Sequence, residues 1–399
     1  MSAEMKLTNW VRASILRLKP YSSARDEYSG DALVFLDANE NPFDSPYNRY
    51  PDPLQRKLKE RIVVLKQVSP EAIFLGNGSD EPIDLLIRAF CEPAIHNVLR
   101  MDPTYGMYEV AAGVNNVGVI RVPLTGDYQL KASRLLAAVT PETRMIFLCS
   151  PNNPTGNALD PGEIVKVIRG FPGPVVLDEA YIDFAPGRSF LPRLAEFPNL
   201  VILQTFSKAW GMAGIRLGMA FADPEIIAVL TKIKYPYNVN ILTQQAALAQ
   251  LANPQEKEEW VAALLKERKK LATALSQLPQ VEKVWPSDAN FLLVKVKNAR
   301  KVYEFLVRQG IVVRDRSGVT LCGESLRISV GKAEENELVI KITTIFNVIS
   351  NNEKGAIPRP RRHADRRAAV GFPGGHPGKT GICPRGDTQP PDDQGQTPL

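Results

Sequence analysis

From residue 70 to residue 234, short apolar runs alternate with amphipathic stretches, and most runs end in a polar or glycine-rich turn. Ile73–Leu75, Asn97–Met101, Val117–Pro123, Arg144–Cys149, Pro174–Leu177, Leu200–Leu203 and Leu217–Phe221 read as strands, too short to be independent helices. Helical spacing fits Glu81–Phe90, Gly106–Ala112 and Lys131–Ala138. Asp223-Pro224 looks like an N-cap with proline at the first helical position, which opens a helix over Glu225–Lys234. Such alternation predicts an α/β fold: a mostly parallel sheet covered by helices, with loops at the strand C-termini forming the site.

The flanks read differently. A basic helical start (Trp10–Leu18) leads to a strand candidate at Leu33–Leu36, a turn-rich run, and an amphipathic helix carrying Leu54, Leu58, Ile62 and Leu65. After the sheet pattern come two longer helices, Thr243–Leu251 and Gln255–Leu278. Strands at Val281–Val284, Phe291–Val296, Ile311–Arg314 and Leu326–Val330 then mix with helices at Ala299–Gln309 and Ala333–Ile349. The expected organisation is an N-terminal arm over 1–45, a large domain over 46–265 and a smaller α+β domain over 266–350. Residues 351–399 hold eight prolines and eight glycines without apolar periodicity, so that tail is expected to be disordered and non-native.

Charge and composition narrow the function. The formal charge of +6 includes eight Lys/Arg against five Asp/Glu in the tail, leaving the other 350 residues with 41 against 38. A nearly balanced body is not expected to bind nucleic acid, and the tail's arginines lack interleaved aromatics. The opening residues lack a signal peptide's apolar core, and no apolar run approaches membrane-spanning length, so a cytoplasmic protein is expected. Four scattered cysteines form no CxxC pair. With His363 and His376 in the tail, His96 is the one histidine of the body, so no metal site or Ser-His-Asp triad is expected.

Chemistry gathers at the strand ends. Leu200–Leu203 runs into Thr205-Phe206-Ser207-Lys208, and Arg216 follows eight residues after the lysine. A lysine at the mouth of a buried strand is costly unless it is paired, covalently used or free to swing into water. Its flexible stem and movable pKa suit Schiff-base chemistry, and Ser207 with Arg216 would clamp a phosphate. Imine plus phosphate clamp is what pyridoxal phosphate (PLP) needs, although a surface lysine in an ordinary turn fits this stretch alone. Gly78-Ser79-Asp80 stands before a helix, where free N–H groups favour an anion, or serves only as its cap. Tyr105 reads as a ring-stacking residue or a core tyrosine. Ser150–Gly156 (SPNNPTG) is a stiff loop presenting Asn153. Asp178-Glu179-Ala180-Tyr181 sets an acid just past a buried strand, where it needs a cationic or donor partner such as a protonated pyridine nitrogen.

These motifs, GNGSDE, PTYGMY, SPNNPTG, DEAY and FSKAWGMAGIRLG, resemble the series found in fold-type-I PLP-dependent aminotransferases. More narrowly, ENP…NRYPDP, GSDE…LLIRAF, DEAYIDF and SLRISVG resemble the histidinol-phosphate aminotransferase family over about residues 8–349. The resemblance implies an internal Schiff base on Lys208, which later shuttles a proton. It implies Asp178 at the pyridinium nitrogen, Tyr181 and Asn153 at the phenolic oxygen, and Tyr105 stacked on the ring. Ser79, Asp80, Ser207 and Arg216 would hold the phosphate, and Tyr50 would reach the cofactor of the second subunit of a homodimer. Arg327, with Arg314 and Tyr21 as helpers, would meet the substrate's phosphate end. The implied substrates are histidinol phosphate and 2-oxoglutarate, interconverted with imidazole acetol phosphate and glutamate by a ping-pong route. Trp210-Gly211 departs from the bulkier apolar residues common there. Another aminotransferase of the superfamily, a threonine-phosphate decarboxylase-like lyase and a PLP-sensing regulatory domain share much of the series; neither terminus shows the helix-turn-helix of the last.

Overall fold

In the computed structural model, residues 7–21, 24 and 33–351 are described. Among them, eleven strands form two sheets. The first seven are β1 (Ile73–Asn77), β2 (Asn97–Asp102), β3 (Gly118–Pro123), β4 (Thr143–Cys149), β5 (Val175–Asp178), β6 (Leu200–Thr205) and β7 (Leu217–Phe221), ordered β1-β7-β6-β5-β4-β2-β3. β2–β3, β2–β4, β4–β5 and β5–β6 pair in parallel, whereas β7 is antiparallel to both β6 and β1. β4, β5, β6 and β7 are buried along almost their whole length, as expected of strands covered on both faces.

The helices cover this sheet through their apolar stripes. Asp80–Phe90 buries Leu86, Ile87 and Phe90 completely, each side chain contributing about 1.5–3 kcal/mol relative to exposure. A helix over Pro161–Gly170, which the sequence reading passed over, starts at Asp160, whose side chain accepts from Glu163 N, and buries Ile164, Val167 and Ile168. The second sheet, ordered β10-β11-β9-β8, is antiparallel: β8 (Val281–Val284), β9 (Phe291–Val296), β10 (Arg314–Asp315) and β11 (Ser325–Ser329). Its own apolar core joins Leu292, Val294 and Leu326 to Leu271, Leu275, Val302 and Leu306 of the helices Pro254–Ser276 and Ala299–Arg308. Among the described residues no helix is long and apolar enough to cross a membrane.

Two expectations need correction. Leu33–Leu36 is not a strand: it joins no sheet, and Leu33, Val34 and Leu36 are mostly exposed, so its apolar character finds no ladder within this chain. The strand expected over Ile311–Arg314 begins only at Arg314, because the ladder with β11 opens at the Arg314–Arg327 pair. The tail from residue 352 onward lies outside the described residues.

One reversal of direction positions the site. Since β7 runs against its neighbours, its first residues lie beside the C-terminal end of β1, and Gly78 N donates to Arg216 O at 2.8 Å. The two backbones approach so closely that a Cβ on Gly218 would stand 2.2 Å from Gly78 C and 2.3 Å from Ser79 N. Gly218→Ala should therefore force backbone to move, at about 1–3 kcal/mol. A lowered denaturant midpoint at unchanged slope is the expected result.

Candidate active site

The parallel strands deliver their ends to one side of the large sheet, and a cavity opens there. Ser79, Asp80, Tyr105, Asn153, Asp178, Tyr181, Ser207, Lys208 and Arg216 all line it, together with Cys149, Ala180 and Thr205. Nine residues singled out on five separate motifs of the sequence are thus brought together.

At the cavity's inner end β5 finishes on Asp178, which is 2% exposed. Tyr108 Oη donates to its Oδ2 at 2.6 Å, and Ala180 N donates to its Oδ1 at 3.0 Å. Burial nevertheless outweighs these bonds and raises its pKa from 3.8 to about 6. Neutral donors alone do not offset the lost hydration, so a cation in the cavity would be favoured. Asn153 Nδ2 donates to Tyr181 Oη at 3.3 Å, while Tyr181's own proton has no acceptor among the described residues.

Lys208 faces these groups, its Nζ 5.5 Å from the centre of the Tyr181 ring. The side chain opens onto the cavity, yet the walls remove enough water that burial lowers its pKa; Arg327 and Arg216 push the same way, against Asp178 and Asp80. Among the described residues its amine has no hydrogen-bond partner. The direction suits a nucleophilic amine.

At the other end, the helix Asp80–Phe90 begins with Ser79, whose hydroxyl is not used in capping. Arg216 reaches across with Nη2 at 3.4 Å from Asp80 Oδ2 and Nη1 at 3.5 Å from Ser207 Oγ. These contacts are long, so most of the guanidinium's donor capacity is unspent. A helix N-terminus, two hydroxyls and a guanidinium on one wall make a seat for an anion. The Tyr105 ring stands on edge to Tyr108, and its hydroxyl donates to Asp80 Oδ1 at 3.1 Å.

The substrate-end expectations divide. Arg327 reaches the cavity wall, donating to Asn153 Oδ1 at 2.6 Å. Arg314 is its cross-strand partner but exposed. Tyr21 does not join them: it lines a separate groove with Pro53, Lys59 and Lys232. Tyr50 also lies away from this chain's cavity, stacked on Tyr237 at 4.4 Å and half exposed. Sequence reasoning missed Tyr108, the fully buried donor to Asp178, which stacks on Phe147. Its one signal is a second tyrosine at the start of the helix Met107–Val114, just after the turn that carries Tyr105.

Comparison with known proteins agrees with this geometry. Residues 33–342 match the model of the family described as aminotransferase class I and II. The chain is 58% identical over 334 residues to the histidinol-phosphate aminotransferase of Parabacteroides distasonis, covering 84% of this chain and 97% of the relative. The crystal structure of the histidinol-phosphate aminotransferase from Clostridium acetobutylicum superposes with a TM-score of 0.70 at 25% identity, over 76% of this chain and 91% of that one. The Sinorhizobium meliloti histidinol-phosphate aminotransferase, solved in complex with pyridoxal-5'-phosphate, gives 0.69 at 25% identity over 76% and 83% of the two chains. The chain belongs to the class I and II aminotransferases, fold-type-I enzymes that depend on PLP. Within that family it stands among the histidinol-phosphate aminotransferases.

The cavity fits PLP on its own features: a buried acid without an ion pair, a tyrosine proton without an acceptor and an unbonded amine among the described residues, and an anion seat, all lining one cavity. The acid gives a direct measurement. Below about pH 4 Asp178 is protonated both folded and unfolded and contributes no pH dependence. Between about 4 and 6 the folded chain holds the proton more tightly, so stability falls as pH rises, by ~3 kcal/mol in all, and levels off above 6. In the cofactor-free protein, Asp178→Asn should remove that fall and Tyr108→Phe should extend it to higher pH, as read from denaturant melts across pH.

Proposed function

We propose that this chain transfers an amino group between L-histidinol phosphate and 2-oxoglutarate, in histidine biosynthesis, with PLP bound in the cavity. The observation that carries the reading is that the Lys208 amine, the buried Asp178 carboxylate and the Ser79–Ser207–Arg216 anion seat line one cavity. The names of the relatives support the choice of phosphorylated amine.

When bound, PLP supplies an aldehyde for amines to condense with and a protonated ring that withdraws electrons from the carbon losing its proton. Asp178 would hold that ring nitrogen in its protonated state by facing it with a carboxylate deprived of water. Tyr181 would direct its free proton at the phenolic oxygen, seconded by Asn153, and Tyr105 would lie against the ring. Ser79, Asp80, Ser207 and Arg216 would bind the cofactor phosphate through the helix N-terminus and the guanidinium fork. Lys208 Nζ would link the cofactor at rest. Displaced by the substrate amine and kept neutral by its surroundings, it would lift the proton from the substrate carbon. Arg327, with Arg314 beside it, would grip the anionic end of either substrate. One cavity serving both substrates implies that the first product leaves before the second substrate enters.

In this reading the enzyme is a cytoplasmic homodimer, and the position of Tyr50 supports the dimer. It points away from its own cavity, and exposed apolar side chains at Leu33, Val34, Leu36 and Phe43 stand nearby in sequence. In such a dimer Tyr50 would serve the partner's cofactor phosphate.

Mixing the loaded enzyme with candidate amines should show histidinol phosphate converting bound PLP to pyridoxamine phosphate, with phenylalanine and aspartate slow. Rapid conversion by phenylalanine alone would move the chain to another aminotransferase specificity. Release of CO₂ with no amine left on the cofactor would make it a lyase. Borohydride treatment should add mass to the peptide bearing Lys208, and Lys208→Ala should lose both that adduct and turnover.

A further inference from the structure

The small sheet has two faces with different surroundings. Leu292, Val294, Leu326 and Ile328 pack against helices, whereas Phe291 and Leu293 belong to cores on the side of the large sheet. Side chains alternate along a strand, so Arg327, between Leu326 and Ile328, lies on the second face. Its partner across the ladder is Arg314. The ladder continues past the end of β10, since Arg316 N donates to Ser325 O at 2.8 Å. By the same alternation Arg316 follows Arg314 onto the face that carries Arg327 to Asn153 at the cavity wall.

Three guanidiniums on one face need opposing charge, and among the described residues no carboxylate forms an ion pair with any of them. Arg327 spends its bond on a neutral amide oxygen. Among the described residues the side chains of Arg314 and Arg316 make no hydrogen bond or ion pair, and Arg316 Nε is fully buried without a partner. Asp315, between them in sequence, points to the other face and lies 3.6 Å from Arg300. Burial and mutual repulsion hold both Arg316 and Arg327 below the usual arginine range, and Tyr181 of the cavity wall is close enough to act on each. A half-buried cation with an orphaned donor and no ion-pair partner among the described residues is costly unless an anion arrives to use it.

We propose that Arg316 is a specificity residue: it completes a three-arginine site with Arg314 and Arg327 that takes a phosphomonoester end in preference to a carboxylate. The inference rests on the reading of the cavity as that of an aminotransferase for a phosphorylated amine. A phosphate monoester presents three acceptor oxygens and about −1.5 to −2 charge at neutral pH. A carboxylate presents two oxygens and a single charge, which Arg327 and Arg314 can satisfy between them. The third guanidinium therefore has work only with the phosphate.

The test compares wild type and Arg316→Gln as PLP-loaded enzymes in three measurements: the half-reaction with histidinol phosphate, the half-reaction with L-glutamate, and inhibition of the latter by inorganic phosphate. Loss of a charged hydrogen-bond donor should lower kcat/KM for histidinol phosphate about 10–100-fold, mainly through KM. Phosphate inhibition should weaken by a similar factor, while L-glutamate loses less than about threefold. Arg316→Lys, which keeps the charge, should recover part of the loss for the phosphorylated donor. An equal fall on both donors would assign Arg316 a merely structural role, and undiminished phosphate inhibition would remove it from the anion site; either overturns the proposal. If wild type ignores histidinol phosphate while phosphate inhibition still depends on Arg316, the donor assignment falls and the three-arginine site stands.

Discussion

A carboxylate with almost no exposure, at the end of the fully buried strand β5, is the constraint around which the site is arranged. Burial drives Asp178 towards neutrality, and the same cause drives Lys208 towards neutrality from the opposite sign. Two groups that would titrate far apart in water are thereby brought closer together, which is how one cavity can hold both a carboxyl group and an amine near neutrality. The surroundings follow from that demand. Tyr108 is buried inside the helix Met107–Val114 because its hydroxyl has Asp178 to serve, and the turn after β5 spends Ala180 N on the other carboxylate oxygen.

Asn153 connects this buried acid's neighbourhood to the smaller sheet. Its amide nitrogen donates to Tyr181, and its amide oxygen accepts from Arg327. The loop carrying it is fixed from both sides: Thr104 Oγ1 donates to Asn152 Oδ1 at 2.8 Å, and Asp288 N donates to Gly156 O at 2.7 Å. Packing adds to this, since the Tyr181 ring meets Phe291 of β9 edge-on at 5.1 Å. The two sheets thus meet through side chains that face the cavity, so a displacement of one sheet is transmitted to the hydrogen bonds of the other.

Much of this was legible in the sequence because it is written in short-range patterns. Strand ends followed by Gly-Ser-Asp, Pro-Asn-Asn-Pro or Asp-Glu-Ala-Tyr mark the turns directly, and the parallel sheet brings them together. What stayed hidden depends on pairing across long separations. Tyr108 looks like any tyrosine on an amphipathic helix until β5 is placed beside it, some seventy residues further on. Arg316 stands out only once β10 and β11 are in register. Leu33–Leu36 has every local mark of a strand, but strand formation needs a partner edge, which no local pattern can supply. The helix Pro161–Gly170 did carry a readable signal, Asp160-Pro161 followed by Ile164, Val167 and Ile168, which the long proline-rich loop before it obscured.

The reversed direction of β7 bears on what the cavity can admit. The segment between β6 and β7 leaves the sheet and returns to it at the same end of these two strands, and Phe206 N donates to Leu217 O at 3.1 Å to close its neck. Lys208 and Arg216 are thereby mounted on one frame and hold a set separation. A molecule that must meet the amine at one end and the guanidinium at the other is gauged for its length as well as its charge. A shorter or longer aldehyde phosphate would find the two ends of the caliper at the wrong distance.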